Sequence, residues 1–412
     1  MYTTKVGALA MKPWYATCLG LLSLGGAFCG GVDSDPSEKY QAPRRSGTFS
    51  FDVYVDANTI HLVLAEYDGA SKAPELHHRR SEDGGESWSE PVRIDENATP
   101  AYLPYRGVDP QIAAFEDAIV AIWTTAGDDV FGYGTGPLAT ARSLDGGSSW
   151  HPGPDPSDDG LTTAHEFIDL AVDADGDFHL VFIDDRDETE NIRRGLRYAR
   201  SSDSGAHWSA NATVDDHICG CCWTHLRTDN EALYLLYRDE HPEPSDMRLA
   251  FSPDRGSHWE QRSVAGRFDW MQQGCPHTTG GLALTESWLH AVVQTGKESE
   301  AGIYYLVSEN QGRDWSDLHR LVGAEGHYVD LAATSDQVAV VWQEQRGTRT
   351  VIIGVLSHDA GKSWSSHSIL SETKASASYP RVVATGDGFR AFWTESEDGR
   401  KHRWTSSRFP RP

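Results

Sequence analysis

Positive charge is in short supply in this chain: 36 Lys and Arg stand against 61 Asp and Glu, a formal net charge of −25. A field of that sign repels phosphate backbones and anionic headgroups, which argues against nucleic acid as a partner. Long apolar runs are lacking too. The stretch from Leu19 to Phe28 is too short to span a bilayer. Cysteine is sparse, six in 412 residues, and four of the six crowd together at 219, 221, 222 and 275. What the chain has in quantity is 14 Trp, 15 Tyr and 39 Gly, set among runs of Val and Leu. That describes a folded all-β protein, not an acidic disordered one. The length suits two or three ordinary domains or one large repeat domain.

The N-terminus reads as a segment apart. Residues 1–30, with Met11 as a candidate start, fit an export signal whose apolar region is Leu19 to Phe28. Cys29, after Gly26-Ala27-Phe28, resembles the lipidated cysteine of a bacterial lipoprotein, although Phe28 stands where a small residue is the rule. The resemblance implies a periplasmic or cell-surface lipoprotein that meets a membrane only through its lipid; secretion is the alternative. Residues 31–45 form a polar tether, and 46–412 read as a single domain.

Within that domain one pattern, Ser-x-Asx-x-Gly-x-x-Trp, recurs six times. The copies begin at Ser81, Ser143, Ser201, Ser252, Ser308 and Ser357, roughly 50 to 60 residues apart, the period of a four-stranded propeller blade with its loops. Asp83, Asp145, Asp203, Asp254, Asn310 and Asp359 hold the acceptor position. An Asx oxygen there caps backbone N–H groups of a tight turn, the Gly admits a positive φ, and the Trp plugs the blade's core. Seven apolar strand ends, near Leu64, Trp123, Phe182, Tyr237, Val293, Trp342 and Trp393, count seven blades, with six as the alternative. The seventh, from 378 to 409, shows three strands and no full repeat, so an N-terminal segment is expected to supply its last strand.

Loops that enter the innermost strands open on the face opposite these turns, where function is expected. Aligned blades place Tyr105, Arg106 and Asp109, then His165 and Glu166, then Cys221, Cys222 and His225, then Cys275 and His277, then His327, and finally Tyr379 and Arg381 at that mouth. Cys219, Cys221, Cys222, His225, Cys275 and His277 suit copper or zinc. Oxidation of the same cysteines to two disulfides in an exported protein is the alternative.

The repeats resemble the Asp-box turns of sialidases, over about residues 46 to 409. That resemblance implies an all-β, sialidase-like propeller of four-stranded antiparallel blades. It also implies a search for an arginine clamp (Arg106, Arg238, Arg346, Arg381), a tyrosine nucleophile (Tyr105 or Tyr379) with Glu344 as its base, and an acid/base (Asp109 or Asp239). The Phe/Tyr-Arg-Ile-Pro signature of the first clamp arginine is absent. A closer resemblance is to exported sialidase-like propellers with Cys-x-Cys-Cys (here Cys219 to Cys222), Tyr-Arg-Asp (Tyr237 to Asp239) and Gly-Cys-Pro (Gly274 to Pro276) segments. The reading reached is an exported propeller whose top face binds a metal or, in a disulfide-braced pocket, a small-molecule or glycan ligand. An exo-α-sialidase and a surface scaffold are the alternatives.

Overall fold

The structure is a computed structural model that describes residues 45–409, apart from 72, 104–106, 129–133, 187–193, 230, 241–242, 273–276 and 372–373. The readings made on residues 1–44, and on Tyr105, Arg106 and Cys275, lie outside the described residues. Every regular element described is a β-strand.

The strands fall into consecutive antiparallel groups: six of four strands and a last one of three. The first strands of the groups are Ser46–Asp56, Gln111–Phe115, His165–Val172, His225–Asp229, Gly280–Leu284, Gly326–Ala333 and Ser376–Thr385. Each packs beside the first strand of the next group, and the last beside the first, so the first strands stand around a common axis.

The second strands are apolar on both faces, as in Ala118–Ala126 and Val338–Arg346, because each is covered by a neighbouring group on either side. Accordingly the hydrophobic core is divided into seven clusters, each between two consecutive groups; Phe51, Ile60, Leu62 and Leu64 with Phe392 make the one that joins the first to the last.

The six repeat turns join third to fourth strands. In each, the Ser Oγ accepts the Gly N–H, as Ser81 does from Gly85 at 2.8 Å, and the Asx oxygen accepts a later amide, as Asp83 does from Ser87 at 2.9 Å. Asn310 does the same work for Asp314 at 2.9 Å. The turns also bond the loop between first and second strands of their own group, for example Gly146 N–H to Asp117 O at 3.0 Å. Both kinds of turn therefore lie on one face.

Two details differ from the sequence expectation. The repeat tryptophans plug the seams between groups: Trp88, Trp150, Trp208, Trp259, Trp315 and Trp364 each pack into the cluster shared with the preceding group. In the one seam without a repeat Trp, Phe409 takes the place. The second difference concerns closure. Ser46 and Gly47 add only a two-residue parallel pairing to Lys401 and His402, not a full last strand. Gly47, at φ 94°, is required there, since a Cβ would fall on the His402 carbonyl oxygen. Arg390 completes the closure, packed over Gly85 and paired with Glu86.

Candidate functional site

Register places one residue from each first strand at the same height around the axis. Asp52 pairs with Val63, Gln111 with Ile122, Asp169 with Val181, His225 with Leu236, Gly281 with Val292, Asp330 with Val341 and Arg381 with Phe392. The partners are all buried apolar residues of second strands, while the inner residues, Gly281 apart, form a polar layer across the channel. Three of its carboxylates also tie adjacent groups together: Asp52 accepts the Ile112 amide at 3.1 Å, Asp169 the Leu226 amide at 2.6 Å and Asp330 the Val382 amide at 2.9 Å. Burial pushes the Asp52 carboxyl up to about 7 against the pull of Arg381, and raises Asp169 and Asp330 in the same way. His225 is buried, its Nε2 has no partner, and burial holds its ring neutral.

Two residues upstream of each, toward the face opposite the repeat turns, a second layer closes the channel: Ser50, Asp109, Phe167, Trp223, Thr279, Tyr328 and Tyr379. Its members touch one another. Ser50 Oγ donates to Asp109, whose other oxygen accepts from Trp223 Nε1 at 3.3 Å. Trp223 meets Phe167 and Tyr328 edge to face, with centroids 5.6 and 6.1 Å apart, and Tyr328 meets Tyr379 at 4.5 Å.

Phe167, Tyr328 and Tyr379 reach this position from β-bulges, with φ of 51°, 53° and 62°. A left-handed conformation at a bulky aromatic costs about 1–3 kcal/mol each and persists only where the surroundings impose it. Gly107 is one such surrounding: at φ 109° it leaves room for the Phe167 ring, which a Cβ would meet at 2.4 Å. Phe51, Asp109, Trp223, Tyr328, Tyr379 and Arg381 line a small hollow at this mouth.

The cysteines brace the same mouth. Cys219 and Cys222 form a disulfide with Cα atoms 5.7 Å apart, immediately before Trp223. The loop is anchored by Cys219 N–H to Arg238 O at 3.0 Å, and Cys222 Sγ lies 4.0 Å from Thr278 Oγ1 of the next group. Cys221 Sγ is 3.6 Å from Cys219 Sγ, so the three sulfurs are close enough to share an ion when reduced. His277 is exposed, and His225 lies in the polar layer below the mouth.

The other sequence candidates separate. Asp109, Tyr379 and Arg381 come together at the mouth. Arg238 instead donates to the Ser245 and Gln294 carbonyl oxygens, fully buried, and burial lowers it to about 10. Asp239 pairs with Arg248, and Glu344 with Arg346 at 2.5 Å. His165 bonds Ser157 and Asp159 at 2.9 and 3.1 Å within a network closed by Arg186, which also holds Asp184. Asp159, His165 and Asp184 are near enough to share an ion, but the Arg186 guanidinium already supplies the positive charge there. Glu166 accepts from Thr135 at 2.5 Å, and His327 is exposed.

Comparison with known proteins gives a consistent picture. Residues 169–391 match the family model of the BNR repeat-like domain. No curated protein matches the chain. Among solved structures, a polysaccharide lyase of family PL25, an ulvan lyase bound to -[GlcA(1-4)Rha3S]-, superposes with a TM-score of 0.58 at 11% identity, over 89% of this chain and 97% of that one. The polysaccharide lyase Uly1 gives 0.58 at 10% identity over 90% and 92%. An α-L-arabinanase of Penicillium chrysogenum, complexed with arabinobiose, gives 0.50 at 12% identity over 74% and 93%.

Proposed function

The chain belongs to the BNR repeat-like domain family, and we propose that it is a seven-bladed propeller with Asp-box turns on one face and a disulfide-braced saccharide pocket at the opposite mouth. The observation that carries the reading is the layer of Trp223, Tyr328 and Tyr379 beside Asp109 and Arg381, with the Cys219–Cys222 bridge fixing the loop that delivers Trp223. Aromatic faces stack on the C–H faces of sugar rings, while a carboxylate and a guanidinium take their hydroxyls. The solved neighbours that carry ulvan or arabinan fragments support saccharide as the ligand class. Closure of the first strands in a cycle of seven supports the blade count. The bridge supports an exported protein, secreted or held at the envelope through a lipidated Cys29, since disulfides persist in oxidising compartments.

A metal reading rests on the three neighbouring sulfurs, with copper or zinc as the ion, and requires the bridge to be open. A glycoside hydrolase reading retains Asp109, Tyr379 and Arg381; release of the leaving group from a fluorogenic sialoside, abolished in Tyr379→Phe, is its test.

Titration of the oxidised protein with ulvan, arabinan and sialylated oligosaccharides, followed by calorimetry, tests the main reading. Binding to at least one of them, weakened at least tenfold in Tyr379→Ala and after reduction, is the expected result. Binding that survives both changes would refute it.

A further inference from the structure

Below the aromatic layer the channel opens into a cavity of about 450 Å³, lined by the polar layer and, beyond it, by Tyr54 and Arg227. Val55, Val172, Thr228, Leu284, Ala333 and Ala384, all partly exposed, form its outer rim. These are the far ends of the first strands, so the cavity is reached from the face that carries the repeat turns, with Trp223 and its neighbours as its ceiling.

We propose that this cavity is a second binding site, separate from the mouth, for a small neutral polyhydroxy compound of monosaccharide size. Its volume lies within the range of small-ligand sites. One side chain inside it is built for a partner it does not have, beside Arg381, a partly exposed guanidinium that Asp52, Asp109, Asp169 and Asp330 surround at longer range. His225 is 2% exposed and its Nε2 has no partner. A buried polar atom left in that state is unfavourable, and a ligand that supplies its partner removes the penalty on binding.

The mixture of polar groups selects the ligand class: the carboxyl groups of Asp52, Asp169 and Asp330 face the cavity together with the guanidinium groups of Arg227 and Arg381, so neither sign dominates. Nor do the three carboxylates gather around one point: among the described residues, the groups close enough to share an ion are Cys219, Cys221 and Cys222, and Asp159, His165 and Asp184. Hydroxyl groups satisfy both signs, since each donates to a carboxylate while accepting from a guanidinium.

The site is tested on the full chain by saturation-transfer NMR and calorimetry with D-galactose, D-glucose, L-rhamnose and D-xylose, and with calcium chloride and sodium acetate as the charged probes. At least one neutral sugar is expected to bind. His225→Leu removes the unpartnered nitrogen, and Ala384→Trp blocks the rim without touching the polar layer. Each is expected to lower affinity at least tenfold, with the melting temperature as a check on folding. Neither variant reaches the mouth, so oligosaccharide binding there is expected to stay as in the wild type, and the two sites fail separately. The proposal is overturned if none of the sugars binds, if only calcium or acetate binds, or if Ala384→Trp binds sugar like the wild type.

Discussion

A buried histidine offers a sharp test of how the blades are joined. His61, His179 and His290 occupy the same place in three second strands. Each reaches a third-strand side chain, His78, Tyr198 or Tyr305, at 3.1, 2.8 and 2.7 Å. The two tyrosines pass the link on to a carbonyl in the next group's repeat turn: Tyr198 to Arg255 O at 2.7 Å and Tyr305 to Ala360 O at 3.1 Å.

His290 is the cleanest of these, because burial alone lowers it from 6.5 to about 4. Since the folded state disfavours its charged form, His290 contributes full stability above pH 6.5. That contribution is lost progressively as the pH falls toward 4. At pH 4.5 the loss is roughly 2–3 kcal/mol relative to pH 7.5. The wild-type curve alone does not isolate this, because Asp52, raised to about 7, is relieved of its buried charge over the same range and acts in the opposite direction.

The comparison is therefore with His290→Gln, which cannot titrate. Urea unfolding of both proteins at pH 7.5 and 4.5 should show the stability difference between them shift by about 2–3 kcal/mol in favour of the variant at the lower pH. A difference that is the same at both pH values would refute the neutral buried relay.

Gly107→Ala forces a Cβ against the Phe167 ring at an already left-handed φ; a loss of about 2–4 kcal/mol is expected by denaturant unfolding. Asp330→Ala leaves the buried Val382 amide without its acceptor and should cost about 1–3 kcal/mol, whereas Asp330→Asn keeps the oxygen and should recover most of it. Arg390→Ala removes the packing over Gly85 and the pair with Glu86 that join last group to first; a drop in melting temperature larger than that of Arg349→Ala on an exposed strand end is expected.

How far the sequence reaches is clearest at particular residues. The six Ser-x-Asx-x-Gly-x-x-Trp turns and the apolar second strands were legible because each strand group repeats the same local chemistry. Alignment on the second strands also brought Asp109, His225, Tyr379 and Arg381 to the axis. It missed Asp52, Gln111, Asp169 and Asp330; at Asp169 and Asp330 a bulge just upstream shifts the alternation by which inward positions are counted. A signal was present: Phe167-Ile-Asp169, Trp223-Thr-His225, Tyr328-Val-Asp330 and Tyr379-Pro-Arg381 repeat an aromatic-x-polar triplet at the head of four first strands. Arg238 and Glu344 misled because both stand at second-strand ends, where burial and local pairing, invisible in sequence, decide whether a charge is available.

The cysteines show the same limit. Their crowding was plain, but that Cys219 bonds Cys222 and so holds Trp223 in place follows from the loop's anchorage on Arg238. The seam position of the repeat tryptophans was likewise hidden, because a Trp that fills its own blade and one that fills the joint with its neighbour read alike.

A crystal structure of the oxidised protein with a bound oligosaccharide tests the central claim most directly. The account predicts sugar density against Trp223, Tyr328 and Tyr379, with hydroxyls within hydrogen-bond distance of Asp109 and Arg381. Sugar bound only on the outer strands or on the repeat turns, with this mouth empty, would contradict it.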